Sequence, residues 1–129
     1  MSHHPYTHFL NHLKLASLRK RLSFKFRLTK KLKPLAKLLQ SLNVIRRYHR
    51  NADNSYTIFP AYTHFRRYSR KIKTFTRSDG KIKLTLKALK ILNISTPHTY
   101  YVIETSLGIL THKEAIRYST GGNLLLTIL

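Results

Sequence analysis

The sequence contains no cysteine and only four acidic residues, Asp53, Asp79, Glu104 and Glu114. The absence of cysteine excludes disulfides and thiolate metal sites, and it fits a reducing compartment. Stretches free of Asp, Glu, Lys and Arg never exceed 13 residues, whereas a membrane-spanning helix needs about 18. General acid–base catalysis would have to use these four carboxylates. We therefore expect no transmembrane segment and no enzyme.

Positive charge is abundant instead. Twenty-five Lys and Arg give the 129-residue chain a formal charge of +21, while 42% of its residues are hydrophobic. That hydrophobic content is too high for a disordered polycation, and the length suffices for one domain or two small lobes. Self-repulsion of this size calls for an anionic partner, and nucleic acid or an anionic membrane surface are the usual ones.

Eight histidines raise the question of a metal site. They are scattered along the chain, although His8 and His12 stand four residues apart and could share one helix face. No acid lies near them, so the His-Glu-x-x-His arrangement of zinc hydrolases is missing. Gly121-Gly122 is also too short for a phosphate-binding glycine loop. We expect neither a metal nor another cofactor.

Residues 1–50 contain 13 Lys and Arg and no acid. Apolar spacing predicts a first helix over 5–19 and a second helix marked by Leu32, Leu35, Leu39 and Leu42, with Pro34 in its first turn. Alternation predicts a strand between them over 23–28. The same acid-poor start is also typical of a mitochondrial transit peptide, but the α-β-α pattern has no clear break after it.

The middle of the chain predicts a hairpin followed by a basic segment. Strands over 43–50 and 55–60 flank a turn at 51–54. The sequence RRYSRK at 66–71 interleaves cations with aromatics, which suits nucleic-acid binding as well as it suits an exposed strand. A turn at 78–80 precedes leucines at 84, 86, 89 and 92 that predict a helix, although 81–86 also alternates like a strand.

In residues 100–129, turn and helix-capping signals separate a series of short predicted elements. A strand over 100–103 leads to a polar turn at 105–108, where Gly108 can take a positive φ or allow another backbone to approach closely. A second short strand follows, and then Thr111 and Glu114 have the spacing of a capping box that starts a helix. Gly121-Gly122 is predicted to end this helix, and 123–129 to form the last strand.

Three kinds of binding protein fit the charge. A DNA-binding helix-turn-helix module needs two consecutive helices, but here helices alternate with strands. A basic amphipathic protein on an anionic membrane would use the first helix alone and leave the C-terminal unit unexplained. An RNA-binding α/β protein accounts for both halves, and we favour it.

The C-terminal stretch also resembles the end of the small-subunit ribosomal protein eight family. The resemblance lies in ETSLG at 104–108, ILT at 109–111, HKEA at 112–115 and GGN at 121–123. Their order and spacing agree with that family's turn, helix start and Gly-Gly segment. Weaker similarity covers FLNHLKLA at 9–16, KLKPLAKLLQSLNVI at 31–45 and RYSR at 67–70, whereas 71–99 aligns poorly.

This resemblance implies an α/β (α+β) fold of two small packed lobes and no catalysis. The N-terminal α-β-α-β-β lobe would span 1–62, and a C-terminal rRNA-binding lobe of mixed strands with a short helix would span 63–129. Its implied partners are the central domain of small-subunit rRNA and neighbouring ribosomal proteins, with a role in nucleating assembly. The candidate RNA-binding residues of the C-terminal lobe are Thr105, Ser106, Leu107, Gly108, Lys113, Arg117, Gly121, Gly122, Asn123, Arg66, Arg67, Tyr68, Ser69 and Arg70. Those of the N-terminal lobe are Asn11, His12, Lys14, Lys30, Lys31 and Lys33.

Several positions depart from the family's pattern. Glu104 replaces a hydroxyl, Asn123 replaces an acid, Lys71-Ile72 replaces Pro-Gly and His112 replaces an early helix acid, at some cost in dipole interaction. A divergent organellar rRNA would explain these changes. Lys-, Asn-, Ile-, Leu- and Tyr-rich usage and the lack of a dispensable leader favour an organelle-encoded protein. We expect a mitochondrial ribosome, with a plastid or the bacterial cytoplasm as alternatives.

Overall fold

Four helices and two antiparallel sheets make up the part of the chain that the structure describes. The computed structural model describes residues 5–61, 72–74 and 82–129. The first range belongs to an N-terminal unit and the other two to a C-terminal unit. The expected α+β class is therefore confirmed. The predicted boundary between residues 62 and 63 lies outside the described residues and stays a prediction.

The N-terminal unit has the predicted α-β-α-β-β order. Its elements are α1 (Pro5–Leu18), β1 (Phe24–Phe26), α2 (Lys33–Ser41), β2 (Ile45–Arg50) and β3 (Tyr56–Pro60). The three strands form an antiparallel sheet in the order β1-β3-β2. Each predicted element is present, with its ends shifted by at most two residues. Pro34 lies in the first turn of α2, where a missing N–H costs nothing.

Apolar spacing explains how this unit is held together. Every third or fourth residue of α1 is buried, from Tyr6 through Leu13 to Ala16, which gives the helix one apolar stripe. The buried residues of α2 and β3 complete the core: Leu35, Ala36, Leu39 and Ile58. The ring of Phe9 packs edge-on against Phe26 at 5.2 Å. The helices therefore cover one face of the sheet.

The C-terminal unit is a five-stranded antiparallel sheet with two helices. Its elements are β4 (Ile72–Thr74), β5 (Lys83–Leu84), α3 (Leu86–Ser95), β6 (Tyr100–Thr105), β7 (Gly108–Thr111), α4 (His112–Arg117) and β8 (Gly122–Ile128). β8 is the central strand, since it pairs with β6 on one side and with β4 and β5 on the other. Leu89 of α3 and Ala115 of α4 pack on Ile103 and Leu124.

Both predictions for residues 81–86 are partly correct. Lys83 and Leu84 form a short strand, and α3 begins directly after it. The Thr85 hydroxyl accepts a hydrogen bond from the Ala88 N–H at 3.2 Å and caps the helix. Within the part of the chain that the structure describes, no helix has the length and apolar character needed to cross a membrane.

The predicted role of Gly121-Gly122 as the end of α4 is wrong. The helix ends at Arg117, and Ser119 takes the left-handed conformation with φ 53°. The Thr120 N–H then donates to the Ala115 carbonyl at 2.9 Å, which closes the helix end. The two glycines come after this turn, at the start of β8, where they serve a different purpose.

Candidate nucleic-acid interface

The candidate interface is built around the turn between β6 and β7. Thr105 pairs with Gly108 across the hairpin, which leaves Ser106 and Leu107 as its tip. Gly108 takes φ 115°, as predicted, and a Cβ there would meet no atom within 4 Å. Glycine is therefore required for its conformation and not for lack of space. The side chain of Leu107 at the tip is 63% exposed.

The two hydroxyls of the turn differ in how they are used. The Thr105 hydroxyl donates to the Gly108 carbonyl at 2.8 Å and accepts from the Leu107 N–H at 3.0 Å. It therefore fixes the turn and keeps only acceptor capacity for a ligand. Ser106 is exposed, and its hydroxyl bonds to none of the residues that the structure describes. Ser106 can thus both donate to and accept from a bound molecule.

Gly121 and Gly122 bring a second segment beside this turn. A Cβ on Gly121 would lie 2.5 Å from the Leu84 carbonyl oxygen, and a Cβ on Gly122 would overlap the Glu104 carbonyl. The Cβ on Gly122 would also lie 3.0 Å from the Thr105 side chain. The glycines therefore let β8 approach its neighbours closely, and they place the start of β8 against the hairpin end.

Asn123 lies at this end of the sheet, on the central strand β8. It is paired with Glu104 of β6 on one side and with Lys83 of β5 on the other. Asn123 and Glu104 are both half-buried, while Lys83 is exposed. A neutral amide between an acid and a cation offers donors and an acceptor without adding charge. The structure thus joins Ser106, Gly122 and Asn123 into one polar patch, which we call the hairpin edge.

Helix α4 carries two of the predicted cations, Lys113 near its start and Arg117 at its end. Lys113 is exposed and its ammonium stands 5.0 Å from the centre of the Tyr100 ring. Tyr100 begins β6 and Thr105 ends it, so the two are separated by about 16 Å along the strand. Lys113 therefore belongs to the opposite end of β6 from the hairpin edge. Arg117 is exposed in the last turn of α4. It stands four residues before Gly121 in the sequence.

The predicted residues of the N-terminal unit are mostly on its surface. Asn11 and His12 are exposed on α1, and Lys14 is half-buried. Lys30, Lys31 and Lys33 are exposed at the start of α2. That helix has no acid in its first turn and no side-chain cap. Cations at a helix N-terminus are unfavourable by themselves, which makes this end attractive to an anion.

The basic segment predicted at 66–71 lies outside the described residues. Arg66, Arg67, Tyr68, Ser69 and Arg70 stay candidates on sequence grounds alone. The interpretation as a nucleic-acid surface and the interpretation as an exposed strand both stay open there.

The hairpin edge occurs where the sequence resembles a ribosomal protein. A family model described as Ribosomal protein S8 matches residues 4–129. The chain belongs to this family. No individual curated protein matches it significantly. The family consists of structural ribosomal proteins that bind rRNA of the small subunit, so the family prediction made from the C-terminal motifs is confirmed.

In this Ribosomal protein S8 member, His112 has a structural role that the sequence did not indicate. His112 is fully buried, and its Nδ1 accepts a hydrogen bond from the Tyr101 N–H at 3.2 Å. Its Nε2 lies 3.1 Å from Asn93 Oδ1, so the neutral ring carries its proton there. Burial, with a smaller contribution from the charge of Lys113, lowers the pKa of His112. His112 therefore ties β6, α3 and α4 together, in addition to standing at the position of the family's early helix acid.

The capping box, by contrast, is confirmed. The Glu114 N–H donates to the Thr111 hydroxyl at 3.3 Å, and the Thr111 N–H donates to a Glu114 carboxylate oxygen at 3.4 Å. These reciprocal bonds satisfy two free N–H groups at the start of α4. The box fixes the direction of α4 as it leaves β7, and with it the position of Arg117.

Proposed function

We propose that this chain binds the central domain of small-subunit rRNA and helps to nucleate assembly around it, without catalysis. The adjacency of Ser106, Gly122 and Asn123 at the hairpin edge is the observation that supports this most strongly. It joins Ser106 with Gly122, which lies 16 residues further along the sequence, into one patch of free hydroxyl, bare backbone and amide. Such a patch fits an RNA minor groove.

The physical argument rests on the shape of double-stranded RNA. Its minor groove is wide and shallow and presents 2′-hydroxyls and base edges. Small residues let the protein backbone approach this surface, and Ser106 and Asn123 supply groups that bond to it. Leu107 at the exposed tip adds an apolar contact against a sugar or base. We therefore assign specificity to the hairpin edge.

Phosphate contacts would come from cations, some of which are exposed on the unit that carries this patch. Arg117 and Lys83 are exposed on the same unit, and Arg66, Arg67 and Arg70 belong to the basic segment outside the described residues. Such contacts raise affinity and orient the protein but carry little sequence information. Lys113, Lys30, Lys31 and Lys33 would then serve more distant phosphates or neighbouring ribosomal proteins.

The ribosome is the site of action, and we propose that it is a mitochondrial one. The departures at Glu104 and Asn123 motivate this choice, since both alter the polar groups of the hairpin edge and suit an altered RNA partner. A plastid or bacterial ribosome is the alternative. Translation of organellar messages would be the process that the protein serves.

The test compares specific with general RNA affinity. The purified protein is titrated with a central-domain fragment of small-subunit rRNA and with a scrambled duplex of equal length, over a series of salt concentrations. We expect the fragment to stay preferred by roughly a thousandfold as salt rises, because base and shape contacts persist when phosphate attraction is screened. If both RNAs lose affinity along one steep line, the chain is a general polycation for nucleic acid or membrane surfaces.

A pair of serine variants locates the specific contact. Ser106→Ala removes the free hydroxyl of the turn, and we expect it to weaken binding to the fragment by about 1–2 kcal/mol. Ser95→Ala is the matched control, because Ser95 is exposed on α3 and its hydroxyl donates to the Ile91 carbonyl of its own helix. Equal affinities of the two variants would remove Ser106 from the interface.

A further inference from the structure

The three-stranded sheet of the N-terminal unit has a second face that the proposed function does not use. Side chains of paired strand residues lie on the same face, so Arg47 and Phe59, His49 and Thr57, and Lys25 and Thr57 share one side. The opposite side holds Ile58 and Phe26, which face the helices. We call the group of Lys25, Arg47, His49, Thr57 and Phe59 the outer sheet face.

An aromatic ring lies at the centre of this face between a guanidinium and an imidazole. The guanidinium carbon of Arg47 stands 4.3 Å from the centre of the Phe59 ring. The imidazole of His49 lies 5.8 Å from the same ring, tilted by 36°. Phe59 is half-buried, whereas Arg47 and His49 are exposed. Phe59 therefore holds the guanidinium in place while its outer surface stays open to solvent.

Charge decides which partner suits this face. Lys25 and Arg47 are exposed cations, and none of the five side chains is an acid. The nearby Asp53 belongs to the adjoining turn, where its carboxylate accepts hydrogen bonds from the Ser55 N–H and hydroxyl. The Thr57 hydroxyl is likewise engaged by the Asn51 side chain at 2.9 Å. The hydrogen bonds from Ser55 and, to a smaller extent, the charge of Lys25 lower the pKa of Asp53. Among the described residues, the groups of this face that make no hydrogen bond are thus a planar cation, an imidazole and the Lys25 ammonium.

We propose that the outer sheet face binds single-stranded RNA, with one unpaired base stacked on the Arg47 guanidinium and the adjoining phosphate neutralised by Lys25. Unpaired bases stack on aromatic rings and on guanidinium planes, and a strand with positive charge beside such a plane follows the RNA backbone. Phe59 acts as the positioning residue, since it keeps the plane of Arg47 oriented. The inference rests on the proposed function only in taking RNA as the partner.

Two neighbouring arginines give a matched test. Arg46 and Arg47 are both exposed on β2, but Arg47 is the one held over Phe59. Replacement by Lys keeps the charge and removes the plane. The full-length variants are titrated with a short single-stranded oligoadenylate that carries a fluorescent adenine analogue, and with an RNA duplex of equal phosphate number.

We expect Arg47→Lys to weaken binding of the single strand about tenfold and to abolish most of the quenching of the fluorescent base. Arg46→Lys should change neither, and both variants should bind the duplex like the wild type with the same salt dependence. Phe59→Leu should reproduce the effect of Arg47→Lys on the single strand, because the guanidinium loses its support.

Equal single-strand affinities of Arg47→Lys and Arg46→Lys would overturn the inference, and the face would then be free for a partner other than RNA. The preference for the central-domain fragment, measured on the same variants, keeps the two proposals separate. Its absence in the wild type would count against the proposed function alone. A normal preference together with insensitivity to Arg47→Lys would count against the stacking contact alone.

Discussion

At the scale of single residues, His112 shows how a titratable side chain can stabilise this fold only while it is neutral. Its Nδ1 accepts from the Tyr101 N–H, and its Nε2 faces Asn93. Protonation would place a second N–H against the Tyr101 N–H and a charge inside the core of the C-terminal unit. Burial disfavours this charged form, and the pKa of His112 is lowered as a result.

This conflict makes stability depend on pH. In the unfolded chain His112 takes up its proton near the ordinary pKa of 6.5, whereas the folded protein does so only at lower pH. Between these values the unfolded state binds more protons, so stability falls as pH drops below about 6.5 and is fully present above it. We expect the urea midpoint of the wild type to decrease from about pH 7.5 to about pH 5.

The variant His112→Gln isolates this contribution. It should be less stable than the wild type at neutral pH, because it loses the buried ring, but its midpoint should decline less with acidification. His98→Gln is the control, since His98 is exposed on the same unit. An acid dependence of His112→Gln as steep as that of the wild type would show that other groups cause the decline.

The contrast between Thr111 and His112 shows what the sequence can reveal at this scale. The capping box is a local pattern of two residues three positions apart, so it could be predicted directly. The burial of His112 depends on Asn93 and Tyr101, which come from two other elements. The sequence contains no local pattern that joins them. Likewise Arg47 and Phe59 meet only because β2 and β3 pair in one register.

At the scale of elements, the pairing of β6 with β8 depends on Gly122. A Cβ at this position would overlap the Glu104 carbonyl, which is backbone and cannot turn away. We expect Gly122→Ala to force the two strands apart and to reduce the free energy of unfolding by about 1–3 kcal/mol. Chemical denaturation monitored by circular dichroism measures this loss.

Asn123→Ala is the matched control for that variant. It alters the next residue of the same strand, opposite the same Glu104, but removes atoms instead of adding them. It should cost less stability than Gly122→Ala, because it places no new atom against the Glu104 backbone. If Gly122→Ala were as stable as Asn123→Ala, the close approach of β8 to β6 would not depend on a glycine.

Hydrophobic periodicity allowed most helices and strands to be predicted. The errors concern residues whose role depends on contacts with other elements. The alternation of 23–28 fits a strand, and the leucine spacing of α2 fits a helix. Residues 81–86 fit two patterns because the chain changes from strand to helix at Thr85. The two glycines were assigned to the end of α4 because a Gly-Gly pair commonly ends a helix. Their actual purpose depends on β5 and β6, which are distant in the sequence.

At the scale of the whole molecule, the formal charge of +21 shapes the behaviour of the free protein. Cations are spread over both units, at Lys30 and Lys37 near α2 and at Lys87 and Lys90 on α3, and all four are exposed. The ribosome would supply the phosphates that balance them. Without RNA, mutual repulsion favours expansion of the chain and lowers the stability of the compact state.

Salt should therefore stabilise the free protein. Raising sodium chloride from about 0.1 M to about 1 M shortens the Debye length from about 10 Å to about 3 Å. We expect the midpoint of thermal unfolding to rise by about 4 °C or more, which corresponds to roughly 1 kcal/mol. A variant with Lys30, Lys37 and Lys90 changed to Gln should start from a higher midpoint at low salt and respond less, because part of the repulsion is already gone. If wild type and variant gained equally from salt, general effects of the salt on hydration would explain the gain, and repulsion among these lysines would not limit stability.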